Sequence, residues 1–335
     1  MPQSDVDGLK VNRRRLLLSA GVGAAALPLA AQAAHPRIST ATSTPRPLRR
    51  EVVSVAAIQL RSQPGATQAN LRRMVEAIDR AQSSGPKDLI AFPADALQGA
   101  PAMSLADLER SAIALDGPEC AALAQSARTH GCYVSFGALA REAHWPGHVL
   151  SLSILIGPDG AIVAKDWAAI AEADAPHVTT IDRVLDRYVE MYGPDAVLPA
   201  HRTDIGNIAF ASSRDPDVLR ALALKGAEIV VRTGAVPAWD ARAAAAHNHV
   251  FGIVVNSAVE PDAVDGAVRT HSRGTAVYGP SGEVLAEAGE SWQQIVTARL
   301  PLAYVRETRP TPTMATALVL PVYQAHHAAK TGELS

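Results

Sequence analysis

Residues 204–232 constrain the fold most, because two short apolar runs flank a segment that has the signals of a capped helix. The runs, 208–211 and 229–231, have the length and composition of buried strands. Between them, Asp215 can cap the helix N-terminus, and Gly226 suits a left-handed C-terminal cap. The stretch therefore predicts a strand, a helix and a second strand. In such units, the junction after the first strand lies at the edge of a buried sheet, where functional side chains are often found.

Apolar runs and helical stripes alternate on both sides of this unit. We predict strands at 52–60, 88–93, 132–139, 150–156, 161–165 and 251–256, and helices at 70–82, 118–130 and 242–248. Strands that alternate with helices are typical of a sheet that is covered by helices. The chain has 335 residues, of which 48% are hydrophobic, so it is long enough to bury a sizeable core.

The N-terminal segment predicts export. Three consecutive arginines, 13–15, precede an apolar run rich in Ala and Gly that ends in Ala-Gln-Ala at 31–33. We interpret 1–33 as a signal peptide of the twin-arginine type, which delivers folded proteins to the periplasm or the exterior. An ordinary secretory signal or a membrane anchor is the alternative. Because the apolar run is shorter than the ~20 residues that span a bilayer and contains Pro28, we expect no anchor in the mature protein.

Composition divides the rest of the chain and argues against one class of partner. Residues 34–50 are rich in Pro, Ser, Thr and Arg and predict a flexible leader. A globular domain follows at 51–310, and 311–335 predict a C-terminal arm with an apolar stretch at 317–323. The formal net charge is -2, so we expect no nucleic-acid partner.

Short motifs occur in a fixed order along this alternation. They are Gln59, Asn70, Phe92-Pro93, the Leu-Gln-Gly of 97–99, Pro216-Asp217, Arg220 and the Gly-Ala-Glu of 226–228. In order and spacing, they resemble the nitrilase superfamily of carbon-nitrogen hydrolases, especially its aliphatic amidases. The resemblance implies an α-β-β-α sandwich and a chemistry without a cofactor. It also implies a homodimer, in which C-terminal arms pack on the partner subunit.

The resemblance further identifies four positions that carry catalytic residues in the family. A nucleophilic cysteine, a general-base glutamate, a lysine that holds the tetrahedral intermediate and a second glutamate fall on Phe210, Ala94, Ala168 and Ala140, respectively. Alanine and phenylalanine cannot attack a carbonyl, move a proton or hold an anion. Because such losses typically cost on the order of 10⁴ to 10⁶ in rate, we expect a nitrilase-like protein without hydrolysis. We expect it to bind a small neutral ligand in a dry, apolar pocket, or a protein partner.

An active enzyme with a rearranged site is the alternative. Asp95 neighbours the lost glutamate, Lys165 lies near the lost lysine, and Ser212 or Ser213 lies near the lost thiol. A serine-lysine hydrolase of amides or nitriles can be built from these residues. Against it, a shift of one residue along a strand turns a side chain to the opposite face, so Asp95 would need a bulge to point inward. We therefore favour the inactive protein.

Histidines and cysteines leave two further alternatives. The clustered histidines are His144, His148, His247 and His249. Pro and Gly separate the first pair, and the second pair is two residues apart on a predicted helix, so we expect no metal site. Cys120 and Cys132 could form a disulfide after export. We expect two buried thiols instead, because a domain with a full core does not need a disulfide.

Overall fold

The computed structural model describes residues 45–99, 105–170, 177–234, 236–258, 274–289, 293–310 and 315–331. The predicted signal peptide, with its arginines at 13–15, lies outside the described residues, and so does most of the predicted leader. The same holds for the first residues of the predicted C-terminal arm, 311–314.

Strands and helices alternate through the described chain. The strands are β1 (Val53–Gln59), β2 (Leu89–Ala91), β3 (Ile113–Ala114), β4 (Tyr133–Arg141), β5 (Val149–Ile156), β6 (Ile162–Trp167), β7 (Val178–Thr179), β8 (His201–Thr203), β9 (Gly206–Ala211), β10 (Ile229–Thr233), β11 (Phe251–Val255), β12 (Ala276–Tyr278), β13 (Val284–Glu287) and β14 (Gln294–Leu300). The α-helices are α1 (Thr67–Ser83), α2 (Leu105–Ser111), α3 (Pro118–His130), α4 (Leu185–Tyr192), α5 (Pro216–Leu224), α6 (Ala238–Asn248), α7 (Leu302–Thr308) and α8 (Thr316–Thr331), with 3₁₀ turns at Ile181–Arg183 and Pro194–Ala196. Among the described residues, no helix combines the length and apolar character that crossing a bilayer requires.

The strands form two sheets. The first sheet has the order β14-β1-β2-β4-β5-β6, with β3 beside β4 and β7 beside β5. The second sheet has the order β13-β12-β11-β10-β9-β8. Strands β1, β2 and β4 run parallel, as do β9, β10 and β11. Parallel neighbours need crossover connections, and the helices supply them.

The two sheets pack face to face, and helices cover their outer faces. Val55 and Ala91 of the first sheet share one buried cluster with Phe210, Val231 and Ile253 of the second. On the outer side, α1 and α3 pack on the first sheet, while α5 and α6 pack on the second. This arrangement confirms the predicted α-β-β-α sandwich.

The unit predicted for 204–232 is present as β9, α5 and β10. The Asp215 carboxylate caps α5, since it accepts hydrogen bonds from the backbone N–H groups of Asp217 at 2.8 Å and Val218 at 3.4 Å. Gly226 follows the helix with a φ of 94°, in the region that favours glycine. Because β9 and β10 are parallel, the junctions after them lie at the same edge of the second sheet.

Glu228, the last residue of the Gly-Ala-Glu motif, fastens α7 to the second sheet. Its carboxylate pairs with Arg306 at 2.6 Å and 2.8 Å, and it also accepts a hydrogen bond from the backbone N–H of Asn207 at 2.8 Å. A buried carboxylate that is paired and hydrogen-bonded is costly to disrupt. The position of Glu228 in the motif therefore has a structural explanation.

The end of the predicted leader contacts the domain. Leu48 packs against the core between the sheets. The backbone N–H of Arg49 donates to the carbonyl oxygen of Asp204 at 2.8 Å, and its guanidinium lies 2.9 Å from the Asp88 carboxylate. The described end of the segment predicted as flexible therefore belongs to the folded domain, because it has both apolar and ionic anchors.

Both cysteines are free and buried, which confirms the prediction of two thiols. Cys120 lies in α3, and Cys132 directly precedes β4. Burial raises the pKa of the Cys120 thiol to about 11 and also raises that of Cys132. Thiols that stay protonated are poor nucleophiles.

Candidate functional site

A cavity of ≈ 220 Å³ lies at the carboxyl ends of strands from both sheets. The first sheet contributes Ala94 and Asp95, which follow β2, and Ala168, which follows β6. The second sheet contributes Ser212, which follows β9, and Thr233 at the end of β10. The other lining residues are Gln98, Gly99, Leu139, Ser151, Ile170, Val178, Thr180 and Gly234. Because ligands of α/β sheets bind at the carboxyl ends of strands, we take this cavity as the candidate site.

Ala94 and Ala168 both line the cavity, and a glycine allows Ala94 to lie there. A Cβ atom added to Gly137 would lie 2.4 Å from the Ala94 Cα, closer than real contacts allow. Gly137 in β4 therefore permits the turn after β2 to approach the first sheet. Two of the four positions that the resemblance singled out thus contribute methyl groups to one wall.

Phe210 does not line this cavity, although the resemblance assigns it to the position of the nucleophile. Its side chain is 7% exposed and belongs to the cluster between the sheets. Its ring centroid lies 6.5 Å from that of His201, and it borders a separate void of only ≈ 10 Å³. Phe210 therefore extends the inter-sheet core and leaves the ≈ 220 Å³ cavity unfilled.

Ala140 also lies away from the cavity. It is fully buried with Phe136 and Ala138 in the core that contacts the helices. Its neighbour Leu139 lines the cavity, and successive residues of a strand point to opposite faces. This alternation corrects the assignment of Ala140 to the pocket.

Asp95 does reach the cavity, and no bulge is needed. The strand β2 ends at Ala91, and Asp95 lies in the turn that follows, where the alternation of a strand no longer applies. Its half-buried carboxylate accepts a hydrogen bond from the Ser257 hydroxyl. Burial raises the pKa of the Asp95 carboxyl, and the Ser257 hydrogen bond opposes this rise in part.

Ser212 shares the cavity with Asp95, but Lys165 does not. The Lys165 ammonium donates to the Glu142 carboxylate at 2.7 Å, and its side chain is 46% exposed. In β6, Ala164 faces the inter-sheet core, so the adjacent Lys165 faces the opposite side. The serine-lysine site drawn from the sequence is therefore not assembled, because its lysine is on the wrong face of the sheet.

Asp166 and His201 form a pair that sequence reasoning missed. The His201 Nε2 lies 2.7 Å from the Asp166 Oδ1, and both side chains are half-buried. The pair joins β6 of the first sheet to β8 of the second, beside Phe210. No local pattern connects two residues on edge strands of different sheets, so no sequence signal could have found it.

The histidines that cluster in sequence are separated by their local roles. The Nδ1 of His148 lies 2.9 Å from the Thr179 hydroxyl oxygen. His249 ends α6 in the left-handed conformation, with a φ of 51°. Across the described ranges, no group of three or more His, Cys, Asp or Glu side chains is arranged to hold a metal ion.

A larger depression, of ≈ 620 Å³, lies beside α2 at the N-terminal ends of α1 and α3. Arg110, Glu119 and Arg141 are among its lining residues. It contains none of the side chains that follow β2, β6, β9 and β10. We therefore place the candidate site at the smaller cavity, where residues that follow β2, β6 and β9 meet the end of β10.

The fold and the cavity define an α-β-β-α sandwich protein with a ligand-sized site at its strand ends. The sequence profile of the carbon-nitrogen hydrolase family matches residues 54–310. The chain belongs to this family. The match spans the whole sandwich from β1 to α7.

Solved structures with the same fold include enzymes of the nitrilase superfamily. Nit3 from Saccharomyces cerevisiae, a member of branch 10 of that superfamily, has a TM-score of 0.63 and 19% identity over 81% of this chain and 99% of its own. A mutant of the amidase from Nesterenkonia sp. AN1 in complex with butyramide has a TM-score of 0.58 and 18% identity, over 77% of this chain and 94% of its own. A second mutant of that amidase, with acrylamide added at its active site cysteine, has a TM-score of 0.57 and 18% identity, over 77% of this chain and 96% of its own. At these identities, the likeness shows the fold.

Proposed function

We propose that this member of the carbon-nitrogen hydrolase family does not hydrolyse amides or nitriles and instead holds a small molecule in the ≈ 220 Å³ cavity. The lining of that cavity is the observation that carries the proposal. Among the described residues that line it, none is a cysteine, lysine or glutamate. Ala94 and Ala168 contribute methyl groups where the resemblance expects a general base and a cation.

The chemistry of carbon-nitrogen hydrolysis supports this proposal. A nucleophile has to attack the carbon, a base has to take its proton, and a cation has to hold the developing negative charge. The similar amidase carries acrylamide on an active site cysteine. At the position that the resemblance assigns to that thiol, this chain has Phe210, which is packed between the sheets.

A hydrolase with a rearranged site is the second candidate, and one observation favours it. Asp95 and Ser212 line the same cavity. Without Lys165, Asp95 itself would have to accept the Ser212 proton, and a carboxylate is a weak base for a serine hydroxyl. This candidate predicts hydrolysis that is lost in both Ser212→Ala and Asp95→Ala.

Binding without turnover tests the main proposal. The mature protein is heated with each of a panel of short amides, nitriles, carbamoyl amino acids and amines, and ammonia release is followed in parallel. A ligand at 100 times its Kd stabilises the folded state by about 2.7 kcal/mol, so we expect a raised Tm with at least one compound and no ammonia. A protein that no compound stabilises would contradict the ligand proposal and favour a protein partner.

We also propose that the protein is exported through a twin-arginine-type signal and forms a homodimer. The dimer proposal is supported by the exposed apolar side chains of α8. Leu318 is 76% exposed and Val322 is 64% exposed. Contiguous apolar surface of this kind is typical of an interface with another chain.

A further inference from the structure

The cavity wall has one acidic group and no basic group among the residues that the structure describes. Asp95 is acidic, and the described lining contains no Lys, Arg or His. The Asp95 carboxylate accepts a hydrogen bond from Ser257 and lies near its own backbone N–H. No other described residue donates to it. Burial without a nearby cation penalises the charged form of this group and raises its pKa.

Four hydroxyl-bearing residues line the wall with Asp95. The Thr180 hydroxyl donates to the Asp182 carboxylate. The hydroxyls of the other three, Ser151, Ser212 and Thr233, make no hydrogen bond to other residues in the described ranges. Hydroxyl oxygens accept hydrogen bonds, and an ammonium group has three N–H donors and no acceptor. The carboxylate and the hydroxyls together can therefore match an ammonium group on a ligand.

The remaining wall is apolar and sets the size of the ligand. Ala94, Ala168, Leu139, Ile170 and Val178 contribute methyl and methylene surface. The volume of ≈ 220 Å³ is below the roughly 300 to 1,000 Å³ of pockets that take drug-sized molecules. A short alkyl chain fits within such a space.

We propose that the cavity binds a small primary ammonium compound, with its charged nitrogen against Asp95 and its alkyl chain against Ala94 and Ala168. This inference rests on the proposed function, namely that the cavity holds a ligand. A bound cation would favour the charged form of the Asp95 carboxyl and so lower the pKa of that group. The sequence alone predicted a neutral ligand, because of the alanines at the family positions. Preferential binding of a neutral compound is therefore the competing outcome.

Titration calorimetry on the mature protein tests this with three probes of similar size: n-butylammonium, butyramide and 1-butanol. We expect n-butylammonium to bind at least tenfold more tightly than either neutral probe. We also expect proton release on binding, measured as a dependence of the heat on the ionisation enthalpy of the buffer. Asp95→Asn should remove both the preference and the proton release. Asp186→Asn, an exposed residue of α4 with the same change in charge, should retain both.

Thr233→Val provides a second variant, because it removes a cavity hydroxyl while keeping the side-chain shape. It should weaken the binding of n-butylammonium severalfold and leave the affinity for 1-butanol within a factor of two. This comparison remains available even if Asp95→Asn does not fold. Equal binding of the three probes, unchanged in Asp95→Asn, would overturn the ammonium inference and leave the ligand proposal standing. Failure of all three probes to bind would overturn the ammonium inference. Ammonia release from butyramide would contradict the proposed inactivity and leave the ammonium preference intact.

Discussion

Two adjacent residues give the candidate site its chemical character at the residue scale. Ala94, at the position that the resemblance assigns to a general base, adds a methyl group, while Asp95 adds a carboxyl group to the same wall. The Asp95 carboxyl has a raised pKa, caused first by burial, and the Ser257 hydroxyl is its hydrogen-bond donor. Among the described lining residues, Asp95 is the one ionisable group.

Asp95→Asn should stabilise the protein at neutral pH. The folded state raises the pKa of this carboxyl above its unfolded value, so it binds the proton more tightly than the unfolded chain does. The charged carboxylate therefore lowers the free energy of unfolding. This loss of stability is absent below the ordinary pKa of about 3.9, grows as pH rises, and is complete above the folded pKa. We expect Asp95→Asn to raise Tm at pH 8 and to have a smaller effect at pH 4. An equal change at both pH values, or the same pattern in Asp186→Asn, would contradict this.

Only part of the candidate site could be predicted from the amino-acid sequence. The motif spacing singled out Ala94 and Ala168, and both residues line the cavity. Asp95 was excluded by a rule for strands, but Pro93 has no N–H to continue the ladder, and the chain turns before Asp95. The pairing of Asp166 with His201 depends on how the two sheets pack, which local sequence does not encode.

At the element scale, the junction between β9 and α5 shapes the part of the wall that contains Ser212. The Asp215 carboxylate caps α5, and the Ser213 hydroxyl accepts a hydrogen bond from the backbone N–H of Asp215 at 2.9 Å. These bonds fix the residues between the strand and the helix. The position of Ser212 at the cavity is thus set by local hydrogen bonds.

Asp215→Ala should lower the free energy of unfolding by about 1 kcal/mol, because two backbone N–H groups lose their acceptor. Asp215→Asn is the matched control, since asparagine also caps helices well. Urea unfolding should show a lower midpoint for the alanine variant and a nearly unchanged one for asparagine. Equal midpoints for the two variants would contradict a capping role.

The elements themselves were largely predictable, because their signals are local. The helix predicted at 118–130 is present as Pro118–His130, bounded by a proline that starts it and by Gly131, which has a φ of 61°. Tertiary contacts are not local in the same way. Lys225, the C-cap residue of α5, donates to the carbonyl oxygens of Asp195 at 3.0 Å and Val197 at 2.6 Å, and no local pattern indicates these partners.

At the scale of the whole molecule, the apolar residues of α8 bear on assembly. Tyr323 contacts Asp217 at 3.2 Å, while a space of ≈ 370 Å³ remains between α8 and the helices α5 and α6. We predict a dimer at micromolar concentration, and a shift towards monomer when the chain is cut before Thr311. Light scattering measures both. A full-length protein that is already a monomer at micromolar concentration, and that remains a monomer after the cut, would contradict the dimer proposal.

Export is a separate prediction at this scale. Changing Arg13, Arg14 and Arg15 to Lys should leave an uncleaved precursor in the cytoplasm, because a twin-arginine-type signal is read through its arginines. Fractionation with an antibody against the mature protein measures the distribution. Normal amounts of mature protein in the exported fraction of the variant would contradict this signal.

The central claim is that the cavity cannot hydrolyse a carbon-nitrogen bond, and steady-state ammonia release by the unmodified mature protein tests it most directly. Short amides, nitriles and carbamoyl amino acids are the substrates, with an active family amidase as the positive control. We predict no release above the blank, and no gain from Phe210→Cys, because a thiol in apolar surroundings keeps a high pKa and stays protonated. Release that persists through purification and disappears in Ser212→Ala would contradict the claim and establish a rearranged active site.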